Sequence, residues 1–241
     1  MIARLRALFA GNKYRLFIFG ILALASLACI GLFRWRASLT GSENYAFLVW
    51  NLFLAWIPFI VAYFTYTTSL RPTRMRVLVP LAAFVWLIFF PNAPYILTDF
   101  QHLAVIDWQD IDTWYDVLML LWFAFTGLLL GLVSLFMMQE IIRREFGRWS
   151  GWGFVALVTA LTAAGVYVGR FLRWNSWDIF SRPQELAQVT LAGAQNMSLR
   201  PPIFTAIFAA LILFLYLTLY AFGHLLQERQ ARASHSGEQG A

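Results

Sequence analysis

The chain has 241 residues, 61% of them hydrophobic and 12% charged, with 18 Lys and Arg against 12 Asp and Glu for a net charge of +6. A water-soluble domain carries roughly 25% charged residues, so this composition excludes a soluble globular protein. The basic residues sit in short clusters between apolar runs, which excludes the massed basic block of a nucleic-acid binder, and a single cysteine, Cys29, excludes an internal disulfide framework or a cysteine-built metal site.

Crossing ~30 Å of hydrocarbon takes about 20 apolar residues in a helix. Six segments qualify: Leu16–Phe33, Tyr45–Phe64, Val77–Leu97, Asp116–Met138, Trp152–Leu172 and Ile203–Phe222. No stretch alternates apolar and polar residues as a membrane β-strand does, and helices are the remaining way to satisfy the backbone in lipid. The expected fold class is therefore all-α, an integral membrane bundle of six transmembrane helices. It divides into a basic N-terminus (1–15), the transmembrane domain (16–226) and a polar tail (227–241) expected to be disordered.

The first segment follows Arg4, Arg6, Lys13 and Arg15. Leu27-Ala28-Cys29 matches a lipoprotein cleavage box poorly, because Ser26 stands where an aliphatic residue is usual and the apolar run continues through Phe33. The segment is read as a retained helix rather than a cleaved signal. Placing the N-terminus in the cytoplasm puts twelve of the 18 basic residues inside, among them Arg71, Arg74, Arg76, Arg143, Arg144 and Arg148. Arg34, Arg36, Arg170, Arg173, Arg182 and Arg200 then lie outside. Both termini are expected inside, and the connection from Thr98 to Tyr115, which has no Lys or Arg, outside. Tryptophans such as Trp35, Trp114 and Trp149 fall near helix ends, at headgroup level. Gly127-xxx-Gly131 and Gly165-xxx-Gly169 would allow close helix approach, although glycine is common in such helices.

The third segment is the most informative. From Val77 to Phe90 it rises only ~21 Å, too short to cross alone, and Pro91 and Pro94 each remove a donor and crowd the preceding turn. The helix should break there, and the freed carbonyls need partners at membrane depth. Asn92 can supply one. Asn51 of the second helix lies at the same depth, ~8–9 Å below the outer surface, so the two asparagines can meet. After Pro94 a short helix places Tyr95, Asp99 and His102 on one face. Asp99 and His102, one turn apart, suit a carboxylate orienting an imidazole, an acid–base pair or two metal ligands. Asp107, Asp110, Asp112 and Asp116 follow, but they match no calcium-loop register, and Asp-x-x-His arises easily by chance. They are read as solvated loop acids, and no metal or cofactor is assigned.

The fifth helix leaves the membrane through Gly169-Arg170-Phe171-Leu172-Arg173-Trp174-Asn175-Ser176-Trp177-Asp178. Arg170 lies ~27 Å up the helix from Trp152, at the hydrocarbon edge. There it must snorkel, pair with an acid such as Asp99 or Asp116, or hold a phosphate. The loop that follows holds one expected surface helix, opened by the capping box Ser181-Arg182-Pro183-Gln184. Thr126, Thr159, Thr162 and Thr205 are the main polar groups in mid-membrane, with no ionisable residue among them, which argues against proton-coupled transport. His224 is read as an interfacial histidine.

The run Phe89-Phe90-Pro91-Asn92-Ala93-Pro94-Tyr95-Ile96-Leu97-Thr98-Asp99-Phe100-Gln101-His102-Leu103 and the run from Arg170 to Asp178 resemble the signature runs of a bacterial membrane family, domain of unknown function 1361. The similarity extends from about Trp50 to His224. It implies a multi-pass protein of a bacterial inner membrane and supplies no activity, substrate or catalytic residue.

The combined reading is an outward-facing polar site framed by Asn51, Asn92, Tyr95, Asp99, His102, Arg170, Arg173, Asn175 and Asp178. It suits an amphiphile with a charged head or a partner membrane protein. An enzyme acting on a lipid-linked substrate, with Asp99 and His102 as acid and base, is the alternative, and a small-solute transporter a second one. The expected partners are membrane lipids, a partner membrane protein or a second copy, and not nucleic acid.

Overall fold

A segment that crosses hydrocarbon must bond its own backbone, so apolar runs of this length become helices. The computed structural model describes residues 2–68, 75–104, 113–174, 181–185, 188 and 200–238, and no strand occurs among them. Six helical spans are long and apolar enough to cross a membrane, from Leu16–Thr40 to Pro201–Leu225. The protein is a multi-pass membrane protein. The chain forms two compact units, Met1–Glu145 and Phe146–Ala241.

In the first unit, α1 (Ile2–Thr40) runs through both the basic start and the first apolar segment. It ends at Gly41, whose φ of 68° gives the left-handed turn that glycine makes without strain, with the Gly41 N–H donating to Ala37 O at 2.9 Å. A tight turn leads to α2 (Ala46–Thr68), then α3 (Met75–Phe89). The chain breaks at Phe90 and Pro91 and continues as α4 (Asn92–Tyr95) and a 3₁₀ helix (Ile96–Ala104), before α5 (Thr113–Phe146).

The break is built as the prolines require. Ala93 N–H turns back to Phe90 O at 3.1 Å, which leaves Phe89 O without its helical donor, and the Asn92 side chain supplies one at 2.9 Å. The short α4 then seats against α5 at its two glycines. A Cβ on Gly127 would stand 3.0 Å from Ala93 O, and one on Gly131 would stand 3.0 Å from the Ala93 Cβ. The Gly127-xxx-Gly131 pair therefore carries close packing, and its partner is the broken segment.

The other helix contacts of the unit are polar as well as apolar. Trp56 donates to Ser26 (α2 to α1, 3.0 Å), Trp86 to Ser134 (α3 to α5, 3.2 Å) and Tyr115 to Leu32 O (α5 to α1, 2.8 Å). Lipid is as apolar as a leucine, so such bonds and tight packing hold helices together where hydrophobic burial cannot. α5 is the central element, with 61% of its most apolar window buried against at most 39% in any other span. Large apolar side chains such as Phe17, Leu24, Leu27, Phe53 and Phe64 point outward instead.

The second unit contains α6 (Arg148–Phe171) and α7 (Arg200–Glu238), packed on each other. Their seam is aromatic: Tyr167 and Phe171 meet Phe204, and Trp152 meets Tyr216 and Tyr220. His224 stacks on Tyr220 at 4.2 Å. The tail expected to be disordered is helical as far as Glu238. Its residues 226–233, Leu-Gln-Glu-Arg-Gln-Ala-Arg-Ala, are strong helix formers with no Gly or Pro among them, so helix propensity outweighs low hydrophobicity. Of the surface helix expected after Ser181, residues 183–185 are helical and Arg182 pairs with Glu185 at 3.6 Å.

Candidate functional site

Four elements bring polar side chains to one end of the first unit: the end of α1, the start of α2, the stretch after the break, and the start of α5. Each follows or precedes an apolar span, so its polar groups are held where the span meets its boundary.

Arg36, near the end of α1, and Asp116, in the first turn of α5, form a fork-shaped pair. Arg36 Nε donates to Asp116 Oδ1 at 2.7 Å and Nη2 to Oδ2 at 3.1 Å. Arg36 is 3% exposed and Asp116 6%. Tyr45, buried just before α2, donates its hydroxyl to Asp116 Oδ2 at 3.2 Å, and its ring lies under the guanidinium, 4.5 Å from Arg36 Cζ. Arg36 Nη1 has no hydrogen-bond partner among the described residues. Planar two-pronged pairing and stacking are what guanidinium does best when desolvated.

Burial, then the charge of Asp116 and the hydrogen bond to it, hold the Tyr45 hydroxyl above its ordinary value of 10.0. A phenol whose ionisation is raised by folding contributes stability that is complete below the ordinary value and is lost as pH climbs through the higher, folded one. The apparent melting temperature of the purified protein is therefore expected to fall when pH is raised from about 9 to about 11, and to fall less in Tyr45→Phe. Equal falls in the two proteins would show that Tyr45 carries none of the alkaline sensitivity.

The second cluster lies on the segment after the break. Asp99 is fully buried and accepts from Asn51 Nδ2 at 2.9 Å. His102 is half-buried, its ring 4.6 Å from that of Phe47. The start of α2 and the residue before it thus serve both clusters: Tyr45 reaches Asp116, Phe47 meets His102, and Asn51 holds Asp99.

Several sequence expectations change in detail. Asn51, expected beside Asn92, donates to Asp99, while Asn92 caps Phe89 O. Tyr95, Asp99 and His102 were expected on one α-helical face. The segment is a 3₁₀ helix from Ile96, with three residues per turn, so Ile96, Asp99 and His102 share a face and Tyr95 closes α4. Asp116 accepts from Arg36 and Tyr45 within the first unit. Arg36, Tyr45 and Phe47 were not among the candidates; Arg36 was counted only as an outer-face charge. The available signal was its place directly after an apolar run, where an arginine needs a partner.

Arg170 and Arg173 belong to the second unit. Arg170 is half-buried in the last turn of α6, and Arg173 is exposed with φ 59°, a left-handed conformation rare for a residue with a side chain. Trp174 follows, with Arg182 over its ring at 5.0 Å. Asn175 and Asp178 lie outside the described residues, as do Asp107, Asp110 and Asp112. Among the described residues no three of His, Cys, Asp and Glu converge as a metal site.

The family described as Protein of unknown function (DUF1361) matches residues 50–217. The chain belongs to this family. No curated protein and no solved structure matches the chain. The family match takes in Asn51, Asp99, Asp116 and Arg170, and begins after Arg36 and Tyr45.

Proposed function

We propose that this protein lies in a bacterial cytoplasmic membrane with both termini in the cytoplasm. In this reading, the polar end of its first unit faces outward and binds the charged head group of a membrane amphiphile, such as a phospholipid or polyprenyl phosphate. The two-to-one bias of basic residues supports the orientation. The observation that carries the binding reading is Asp99, fully buried on Asn51 beyond a helix broken by two prolines. A carboxylate at the end of an apolar span is expensive, and such groups are by default functional. His102, half-buried on the same 3₁₀ face, brings a ring that can donate or carry charge, and the Asn51–Asp99 pair beneath it holds that segment in place for an oxygen-rich head.

The test is lipid binding by native mass spectrometry on protein reconstituted with defined lipids. Asp99→Asn and His102→Ala are each expected to weaken binding of the charged lipid about tenfold, the equivalent of one good charged contact. If both variants keep wild-type stability and every lipid interaction, the reading is wrong. The shared 3₁₀ face of Asp99 and His102 favours a second reading, an acid–base enzyme on a lipid-linked substrate. It requires turnover that His102→Ala loses while binding persists.

A further inference from the structure

A groove of about 410 Å³ runs between α1 and α5, lined by Ala28, Gly31, Leu32, Trp35, Tyr115 and Trp122. Its volume lies within the roughly 300–1,000 Å³ of small-molecule sites. Ala28, Gly31, Leu32 and Trp35 form one stripe of α1, spaced three and four apart. Gly31 leaves the floor open, since a Cβ there would meet nothing within 4 Å. The wall is almost wholly apolar, because the Tyr115 hydroxyl is already spent on Leu32 O. Water would find no partners along such a wall, so hydrocarbon fills it.

Hydrocarbon alone is no reason for a particular occupant, because an acyl chain gains little by leaving other acyl chains. The selecting group must be at the groove's end. Arg34 stands one turn beyond Gly31 on the same side of α1, with its side chain 70% exposed and, among the described residues, a loose 3.9 Å contact to Glu43. Trp35, also largely exposed, sits beside it at the level that indole rings take among head groups. We infer that the α1–α5 groove is a site for an anionic phospholipid, with one acyl chain along Gly31 and Leu32 and its phosphate on Arg34. This goes beyond the head-group site proposed above, since none of its residues is shared.

The full chain in nanodiscs of phosphatidylglycerol and phosphatidylcholine, transferred to detergent and analysed for retained lipid, tests the assignment. Wild-type protein is expected to enrich phosphatidylglycerol about fivefold, the size of one interfacial basic contact. Arg34→Gln is expected to remove the enrichment. Gly31→Phe, which has open space for its ring, is expected to lower total retained lipid while the melting temperature holds. Arg34→Gln and Gly31→Phe are expected to lower their readouts by the same factor in an Asp99→Asn background as in the wild type, which separates this site from the one around Asp99. Retention that is unselective in the wild type, unchanged in Gly31→Phe, or insensitive to Arg34→Gln once Asp99→Asn is present overturns the proposal.

Discussion

Asp116→Ala is expected to be the most damaging single substitution at the polar end of the first unit. It strands Arg36, which is 3% exposed, and removes the acceptor of the Tyr45 hydroxyl. Breaking a buried ion pair from one side costs about 3–5 kcal/mol, because the remaining charge has neither partner nor water. Denaturation of the purified protein in detergent reads this directly. The double variant Arg36→Met/Asp116→Leu is expected to recover most of the loss, since a well-packed apolar pair of similar volume replaces a buried salt bridge at little cost. A single-variant loss within the ~0.5 kcal/mol of an ordinary surface change would mean that the pair is hydrated.

Gly131→Leu is expected to have the second-largest effect. The added Cβ alone would stand 3.0 Å from Ala93 Cβ and 3.8 Å from Phe90 Cε2 and Pro94 Cδ, so a branched side chain pushes the broken segment off α5. Overpacking of this kind costs about 1–3 kcal/mol. Because the same segment leads to Asp99, the displacement is also expected to weaken the Asn51–Asp99 bond and any ligand that depends on it. Gly20→Leu is the control: nothing lies within 4 Å of a Cβ there, and the change is expected to be neutral within ~0.5 kcal/mol. Comparable melting temperatures for the two leucine variants would show that α4 does not rest on Gly131.

The spans and the break were legible because they depend on local chemistry. Length and hydropathy decide a span, and two prolines three residues apart end a helix whatever surrounds them. The repair by Asn92 is equally local, since its amide needs to reach back only three residues to Phe89 O. Partners across the bundle were harder to read. Arg36 and Asp116 are 80 positions apart, and nothing in helical periodicity says which outer-face arginine meets which acid. Asn51 bonds Asp99 instead of the nearer-looking Asn92, because counting along each helix does not say which polar group a side chain faces. The register of Tyr95 was misjudged because an α-helical spacing was assumed beyond Pro94, where the chain tightens to three residues per turn.

The clasp between Arg36 and Asp116 has a consequence for how the protein is made. It ties the first span to the fourth, and at ~5–20 residues per second a ribosome needs about 4–16 s to add the chain between them. During that interval α1 can lean on α2 through Ser26 and Trp56, while the guanidinium waits at the water boundary for its carboxylate. The pair can close only once α5 has been made, so the first span keeps an unpaired guanidinium until the fourth is in hand.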